Sequence, residues 1–299
     1  MKTVFIILNY KTYQDTIRLT DDLLRQDLGD RSLLIVDNAS PGDSYEVLTR
    51  TYKDVPQVEV VSSGMNGGYA KGNNFGLRYA RKYNPQYVCI INNDVYFELS
   101  LIEKLEEKYV SIKKVAFLAP VQHLLNNRPA PFSNLKQIPS FWDDLKMTIG
   151  LGGICAKHVY KPDVEGGDLQ EVEIVPGAFM FINYSTFERI GFFYEGTFLF
   201  CEERFVAKKI RDCGLYSYIM LDEHYVHAHS VTINKEGSKK WQQKLLLNGR
   251  VLYAKRYRTY PFLKIEVLKT AYYIFSHGFF MLLLSFPRCC FIHRGKACA

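Results

Sequence analysis

The chain has 299 residues, 47% of them apolar and 23% charged, and a formal charge of +7. This composition excludes a disordered or fibrous chain and predicts a sizeable core, in one large domain or a domain with an appendage. The basic excess gathers in residues 235–258, KEGSKKWQQKLLLNGRVLYAKRYR, a stretch suited to nucleic acid, anionic lipid or a phosphorylated substrate.

Along the chain, β-rich apolar runs at 4–8, 33–36, 58–61, 88–91 and 115–118 alternate with helical patterns at 13–28, 44–52, 70–83 and 101–114. The opening MKTVFIILNYKTYQD has too short an apolar core for a signal peptide, and no small-residue cleavage site follows. It reads as the first strand. Continuous apolar strands alternating with helices predict a mostly parallel sheet covered on both faces. Capping boxes are expected at Asp43-Ser44-Tyr45-Glu46, Ser100-Leu101-Ile102-Glu103 and Ser185-Thr186-Phe187-Glu188. The second confines Asp94 to a short loop between a strand and a helix.

Residues 121–170 are irregular and rich in Pro and Gly, and read as a long excursion, a lid or an insertion. Regular structure returns over 174–182, broken by Pro176-Gly177. A helix is expected over 202–213, ended by Gly214, and a strand over 216–221. Residues 270–287, TAYYIFSHGFFMLLLSFP, carry no fixed charge and sit at the lower edge of a membrane span. Ser276-His277-Gly278 weakens a spanning reading, and the basic helix before it favours a helix lying in the membrane interface. A buried C-terminal helix or a dimer contact is the alternative. The seven cysteines form no CxxC pair and Cys289-Cys290 are adjacent, so a reducing compartment is expected.

Ligands of open α/β sheets sit beyond the carboxyl ends of the strands. Here those ends carry Asn9-Tyr10, then Asp37-Asn38-Ala39-Ser40, then Gly64-Met65-Asn66-Gly67-Gly68-Tyr69, then Asn92-Asn93-Asp94. One polar end is commonplace; four together suggest a single polar ligand lying across them. Asp37, a pure acceptor, suits a ribose hydroxyl or a base N–H. Gly67-Gly68 permits close backbone approach, and Lys71, Asn73 and Asn74 suit phosphates. Neither a Walker loop nor a GxGxxG pattern is present. Asp94 suits a hard cation, Mg²⁺ or Mn²⁺, that also takes phosphate oxygens. Glu202-Glu203 follow the apolar FLF, which would raise the pKa of an acid emerging from it.

The order ILNY, VDNAS, MNGGYAKGNN, INNDV, then PGAFMFI, FLFCEE and HAHS resembles a family 2 inverting glycosyltransferase with the GT-A fold, over residues 3–232. The resemblance implies a Rossmann-like, mostly parallel twisted sheet flanked by helices. It implies a nucleotide-sugar half (1–120), an acceptor and catalytic half (121–232), and a membrane-proximal helical extension (233–299). INNDV matches the family's degenerate DxD motif, with Asn92 in place of the first acid and Asp94 kept. Asn9, Asp37, Asn66 and Asn74 fall where the family contacts nucleotide and diphosphate. His229 falls where many members place a further metal ligand. Glu202-Glu203 fall where the family carries its general base, with Glu203 favoured and Glu202 kept open. The Gly177–Met180 stretch resembles the acceptor-facing segment.

The implied chemistry is inverting hexosyl transfer with Mn²⁺ or Mg²⁺, from a UDP- or dTDP-sugar to a glycan or a polyprenyl-diphosphate-linked acceptor, in bacterial surface polysaccharide synthesis. The implied location is the cytoplasmic face of the cell membrane, reached through the C-terminal helices, and a homodimer is compatible with it. Two other classes compete. A sugar-nucleotidyltransferase needs a Gly-rich basic loop after the first strand, where this chain has Asn9-Tyr10-Lys11-Thr12. A non-catalytic binding module would tolerate loss of Asp94 and both glutamates. Nucleic acid is set aside for want of a motif.

Overall fold

The computed structural model describes residues 3–130, 137–152, 167–228 and 238–276. The first half alternates β1 (Thr3–Asn9), α1 (Tyr13–Leu24), β2 (Ser32–Asp37), α2 (Ser44–Tyr52), β3 (Val58–Ser62), α3 (Gly68–Ala80) and β4 (Tyr87–Asn92). A two-residue β5 (Val95–Tyr96), α4 (Ser100–Ser111) and β6 (Val115–His123) follow. Then come α5 (Phe141–Thr148), β7 (Leu169–Val172), β8 (Phe179–Asn183), α6 (Tyr184–Arg189), α7 (Glu202–Asp212) and β9 (Tyr216–His227). Two helices close the described chain, α8 (Lys239–Tyr257) and α9 (Phe262–Ser276).

The described strands make one nine-stranded sheet in the order β3-β2-β1-β4-β8-β6-β9-β5, with β7 on β9. The first four strands pair in parallel, as the alternation predicts. Beyond β4 the sheet becomes mixed: β8 runs antiparallel between β4 and β6, while β9 is parallel to β6 and antiparallel to β5 and β7. Side chains two apart share a face. Phe5, Ile7, Leu33 and Ile35 therefore pack with Leu19 and Leu23 of α1 and Leu48 of α2. Val4, Ile6, Leu34 and Val36 pack on the other side with Leu77 of α3 and Val206 and Ile210 of α7. Burial on both faces is why these strands read as unbroken apolar runs.

β9 extends past residue 221 because its pairing with β6 slips between Pro120 and Val121. The slip accommodates Leu221-Asp222-Glu223, after which His224 pairs with Val121 and Tyr225 returns to the core, 1% exposed. The capping expectations need correction. Neither Asp43 before α2 nor Ser100 at the start of α4 makes a side-chain cap, and α6 is capped by Asn183, which accepts from the Thr186 N–H. A reciprocal box does occur at Ser140 and Asp143, opening α5 in the stretch that reads as irregular.

The C-terminal helices are packed onto the body. Leu247 of α8 and Leu268 and Tyr272 of α9 form a small core with Phe141 of α5. Asp144, fully buried, binds Arg204 of α7 through two hydrogen bonds of 2.8 and 2.7 Å. It also accepts from the Tyr260 hydroxyl (2.8 Å), and Arg250 Nε lies 3.3 Å from it. No helix among the described residues is long and apolar enough to cross a membrane; the 270–287 segment is described only to Ser276.

Candidate active site

The parallel register sets Asn9 opposite Asp37 and Leu8 opposite Asn92, so three strand ends form one row. Within it the polar residues divide into those that hold and those that are held. Asn9 is fully buried: its amide donates to Asp37 Oδ2 (2.7 Å) and Ser44 Oγ (2.9 Å), and its carbonyl accepts from the Thr16 hydroxyl (2.8 Å). The Ser40 N–H donates to Asp37 Oδ1 (2.8 Å). Asn9 thus fixes the carboxylate it was expected to accompany. Asn38 donates to Asn66 Oδ1 (3.1 Å) and to the Gly68 carbonyl (3.3 Å), tying the second crest to the third. Tyr10 is half-buried, with Lys11 Nζ 5.0 Å from its ring centroid, and Lys71 is exposed.

Gly68 makes a close approach within the chain itself. Gly68 has φ +84°, and a Cβ there would collide with the Phe198 carbonyl, which instead accepts from the Tyr69 N–H at 2.9 Å. The close approach is to this chain's own 198 loop. Asn74 serves the same loop: its amide donates to the Phe193 carbonyl (3.0 Å) and Glu195 Oε1 (2.8 Å), and its carbonyl accepts from the Phe193 N–H (3.0 Å). The third crest therefore clamps the segment leading to the glutamates.

At the end of β4, Asn93 turns inward and donates to the Thr12 and Thr16 hydroxyls at 2.8 and 2.9 Å. Asp94 turns the other way. Its Oδ1 lies 3.0 Å from His227 Nε2, and the Ala228 N–H donates to the Asp94 carbonyl at 3.0 Å. His227 is placed there by the β5–β9 ladder, which sets it opposite Val95. His229, the sequence candidate, lies outside the described residues. The first histidine of the HAHS segment is His227, two residues before the sequence candidate.

Gly177 joins the two acidic regions. The Asn92 N–H donates to the Ala178 carbonyl at 3.0 Å, so Gly177 abuts the end of β4. Its carbonyl accepts from the Tyr69 hydroxyl at 2.5 Å, and its N–H donates to the Glu203 carboxylate. A Cβ on Gly177 would strike Glu203 Oε1. The same continuity appears in the tyrosines. Burial pushes the phenols of Tyr225 and Tyr69 well up. Asp94 adds to the rise at Tyr225, and Glu203 and Glu202 add to it at Tyr69. Asp94 thus lies near Tyr225, and the glutamate pair near Tyr69. Tyr69 and Gly177, both within quoted sequence segments, are contributors that sequence reasoning did not single out as site residues.

The glutamates differ. Glu202 is 2% exposed, and its Oε1 has no hydrogen-bond partner among the described residues. Burial, then the charge of Glu203, pushes it up to about 8, against which the Thr197 hydroxyl donates to it. Glu203 is half-buried, and desolvation raises its pKa also. Glu202 therefore carries the proton at neutral pH. The turn before them is strained: Phe200 and Cys201 have φ of 72° and 70°. Gly249 of α8 backs this turn, since a Cβ there would lie 2.9 Å from Cys201 Sγ.

Among the described residues no group of three or more His, Cys, Asp or Glu is arranged to hold a metal. Asp94 and His227 form a two-residue donor set, one hard oxygen and one imidazole. Such a set fits Mn²⁺ or Mg²⁺ when substrate oxygens complete the shell.

The profile of glycosyl transferase family 2 matches residues 4–154. The chain is 27% identical over 201 residues to the low-salt glycan biosynthesis hexosyltransferase Agl10 of Haloferax volcanii, covering 66% of this chain and 58% of that one. It thus spans little more than half of that relative. It is 23% identical over 232 residues to the rhamnosyltransferase WbbL of Escherichia coli K12, covering 75% and 83%. Superposition on the mannosyltransferase PcManGT of Pyrobaculum calidifontis, solved with GDP-Man and Mn²⁺, gives a TM-score of 0.58 at 16% identity, covering 95% of this chain and 75% of that one. That likeness shows the GT-A fold, a mixed curled sheet flanked by helices.

Proposed function

Because the chain belongs to glycosyl transferase family 2, we propose that it moves a hexose from a nucleoside diphosphate sugar to an acceptor hydroxyl, with inversion at the anomeric carbon. The observation that carries this reading is the seat of Glu203: a half-buried carboxylate held by the Gly177 N–H, one residue from the Ala178 carbonyl that binds the end of the Asp94 strand.

Asp37, fixed by Asn9 and Ser40, accepts from the nucleoside. Asn92 and the α3 N-terminal turn face the diphosphate. Asp94 and His227 would hold a divalent ion there, which supplies positive charge against the departing diphosphate. His229 stays a proposed further ligand. Glu203 takes the proton of the acceptor hydroxyl as that oxygen bonds to the anomeric carbon from the face opposite the diphosphate. The carbon–diphosphate bond breaks, and the nucleoside diphosphate leaves with the electron pair. Glu202, protonated beside it, keeps the local charge to one. A relative named for glycan biosynthesis and a rhamnosyltransferase support a glycan or lipid-linked acceptor in surface polysaccharide synthesis. The basic α8 and the apolar outer face of α9 support peripheral contact with the cytoplasmic membrane face.

The test is a panel of UDP-, dTDP- and GDP-sugars, with and without Mn²⁺, read as release of nucleoside diphosphate. One donor should be turned over in a Mn²⁺-stimulated manner. No release from any donor would overturn the reading.

A further inference from the structure

Three successive carbonyls in the turn from β4 to β5 have donors. Arg18 of α1 reaches them with one guanidinium nitrogen: its Nη2 donates to the Asn93 carbonyl at 2.8 Å and to the Val95 carbonyl at 3.0 Å. The carbonyl between them, that of Asp94, accepts from the Ala228 N–H. The Asn93 and Asp94 carbonyls belong to the two peptide planes that flank the Asp94 Cα, so these bonds set its φ and ψ. They thereby set the direction in which the carboxylate leaves the chain. The guanidinium is itself located. Its Nη1 pairs with Asp22, one helical turn on, at 3.3 Å, and its Cζ lies 3.8 Å from the centroid of the Tyr96 ring. A charged donor binds a carbonyl more strongly than a neutral one, and a stacked planar fork loses little freedom in doing so. The Asn93 side chain adds a second tie to the same helix start, through Thr12 and Thr16. α1 does not depend on Arg18 for its seat, because Leu19 and Leu23 pack it onto the sheet.

We propose that Arg18 is the positioning residue of this turn, presenting Asp94 in a fixed direction to a divalent cation and the diphosphate it accompanies. The described donor set is small, one carboxylate and one imidazole. With so few protein ligands, affinity depends on how little the carboxylate must rearrange when the cation arrives. The proposal rests on the reading of Asp94 as a metal ligand.

The experiment is calorimetric titration of the full chain with UDP, dTDP and GDP, each with and without Mn²⁺, carried on with the nucleotide that the parent binds tightest. Loss of a group that orients a metal ligand costs ~10–100-fold in metal affinity. Arg18→Gln should therefore lower the Mn²⁺-dependent affinity at least ~10-fold and leave the metal-free affinity within ~2-fold. Arg18→Lys keeps a charged donor without the fork or the stack, and should recover part of the loss. Arg25→Gln, which removes an exposed arginine that also pairs with Asp22, should change neither affinity. Binding without metal shows that each variant is folded. An Arg18→Gln chain that keeps the full Mn²⁺ enhancement overturns the proposal. So do Arg18 variants that both lose metal-free and Mn²⁺-dependent binding alike, because Arg18 then serves the fold at large. Asp94→Ala in parallel separates the two readings. If it too keeps the enhancement, Asp94 is not a metal ligand and the proposal falls with that reading. If it loses the enhancement while Arg18→Gln keeps it, only the role of Arg18 falls.

Discussion

Asp94 Oδ1 and His227 Nε2 lie 3.0 Å apart, although 133 residues separate them. A two-residue strand makes the meeting: β5 pairs with the last residues of β9 and sets the imidazole beside the carboxylate. If this pair holds a metal on the donor diphosphate, Asp94→Ala and His227→Ala should each weaken Mn²⁺-dependent binding of nucleoside diphosphate by at least about tenfold. Metal-free binding should change little. Calorimetry with and without Mn²⁺ reads both, and His229→Ala in parallel tells whether the second histidine of HAHS contributes.

Glu203 and Glu202 should separate in kinetics. Glu203→Gln should lower turnover by ~10²–10⁴-fold with donor affinity nearly unchanged. Glu202→Gln, which mimics the protonated state of Glu202, should lower it far less. Equal losses, or a larger loss in the second variant, would move the base to Glu202.

The raised pKa of Glu202 also has a consequence for stability. Its ordinary value of 4.5 is pushed up to about 8 in the folded chain. Between those values the folded state binds more protons than the unfolded state, so stability falls as pH rises through this window. Glu202→Gln removes the titration. The variant should gain on the parent between pH 5 and pH 9 in urea unfolding; a constant difference would mean that the carboxyl is not held protonated by the fold.

Gly68→Ala should be destabilising in proportion to two faults, a strained φ and a Cβ driven into the Phe198 carbonyl. A loss above ~1 kcal/mol is expected, with turnover reduced as well, because the 198 loop carries Thr197 and leads into the glutamates. Thermal unfolding and donor turnover are the two readouts.

Asp144→Asn should be severe. Its carboxylate faces Arg204 and Arg250, and all three side chains are buried. Removing the charge strands both guanidiniums, at a cost of about 3–5 kcal/mol. Tyr260→Phe, which deletes one hydrogen bond, should cost about 1 kcal/mol. Chemical denaturation measures both.

The alternation of apolar runs and helical patterns by itself determined the parallel half of the sheet, because local periodicity and continuous apolar strands depend on few long-range choices. It also determined that four crests would be polar. Which crest residues point outward was decided only by tertiary structure. Asn9, Asn74 and Asn93 are spent on Asp37, the 193–195 loop and α1, since a buried amide must find partners wherever the packing supplies them. Likewise β9 pairing chose His227, and the antiparallel insertion of β8 carried Gly177 between Tyr69 and Glu203. The His227–Asp94 and Tyr69–Gly177 contacts join residues 133 and 108 positions apart, and no period in the sequence encodes a distance of that kind.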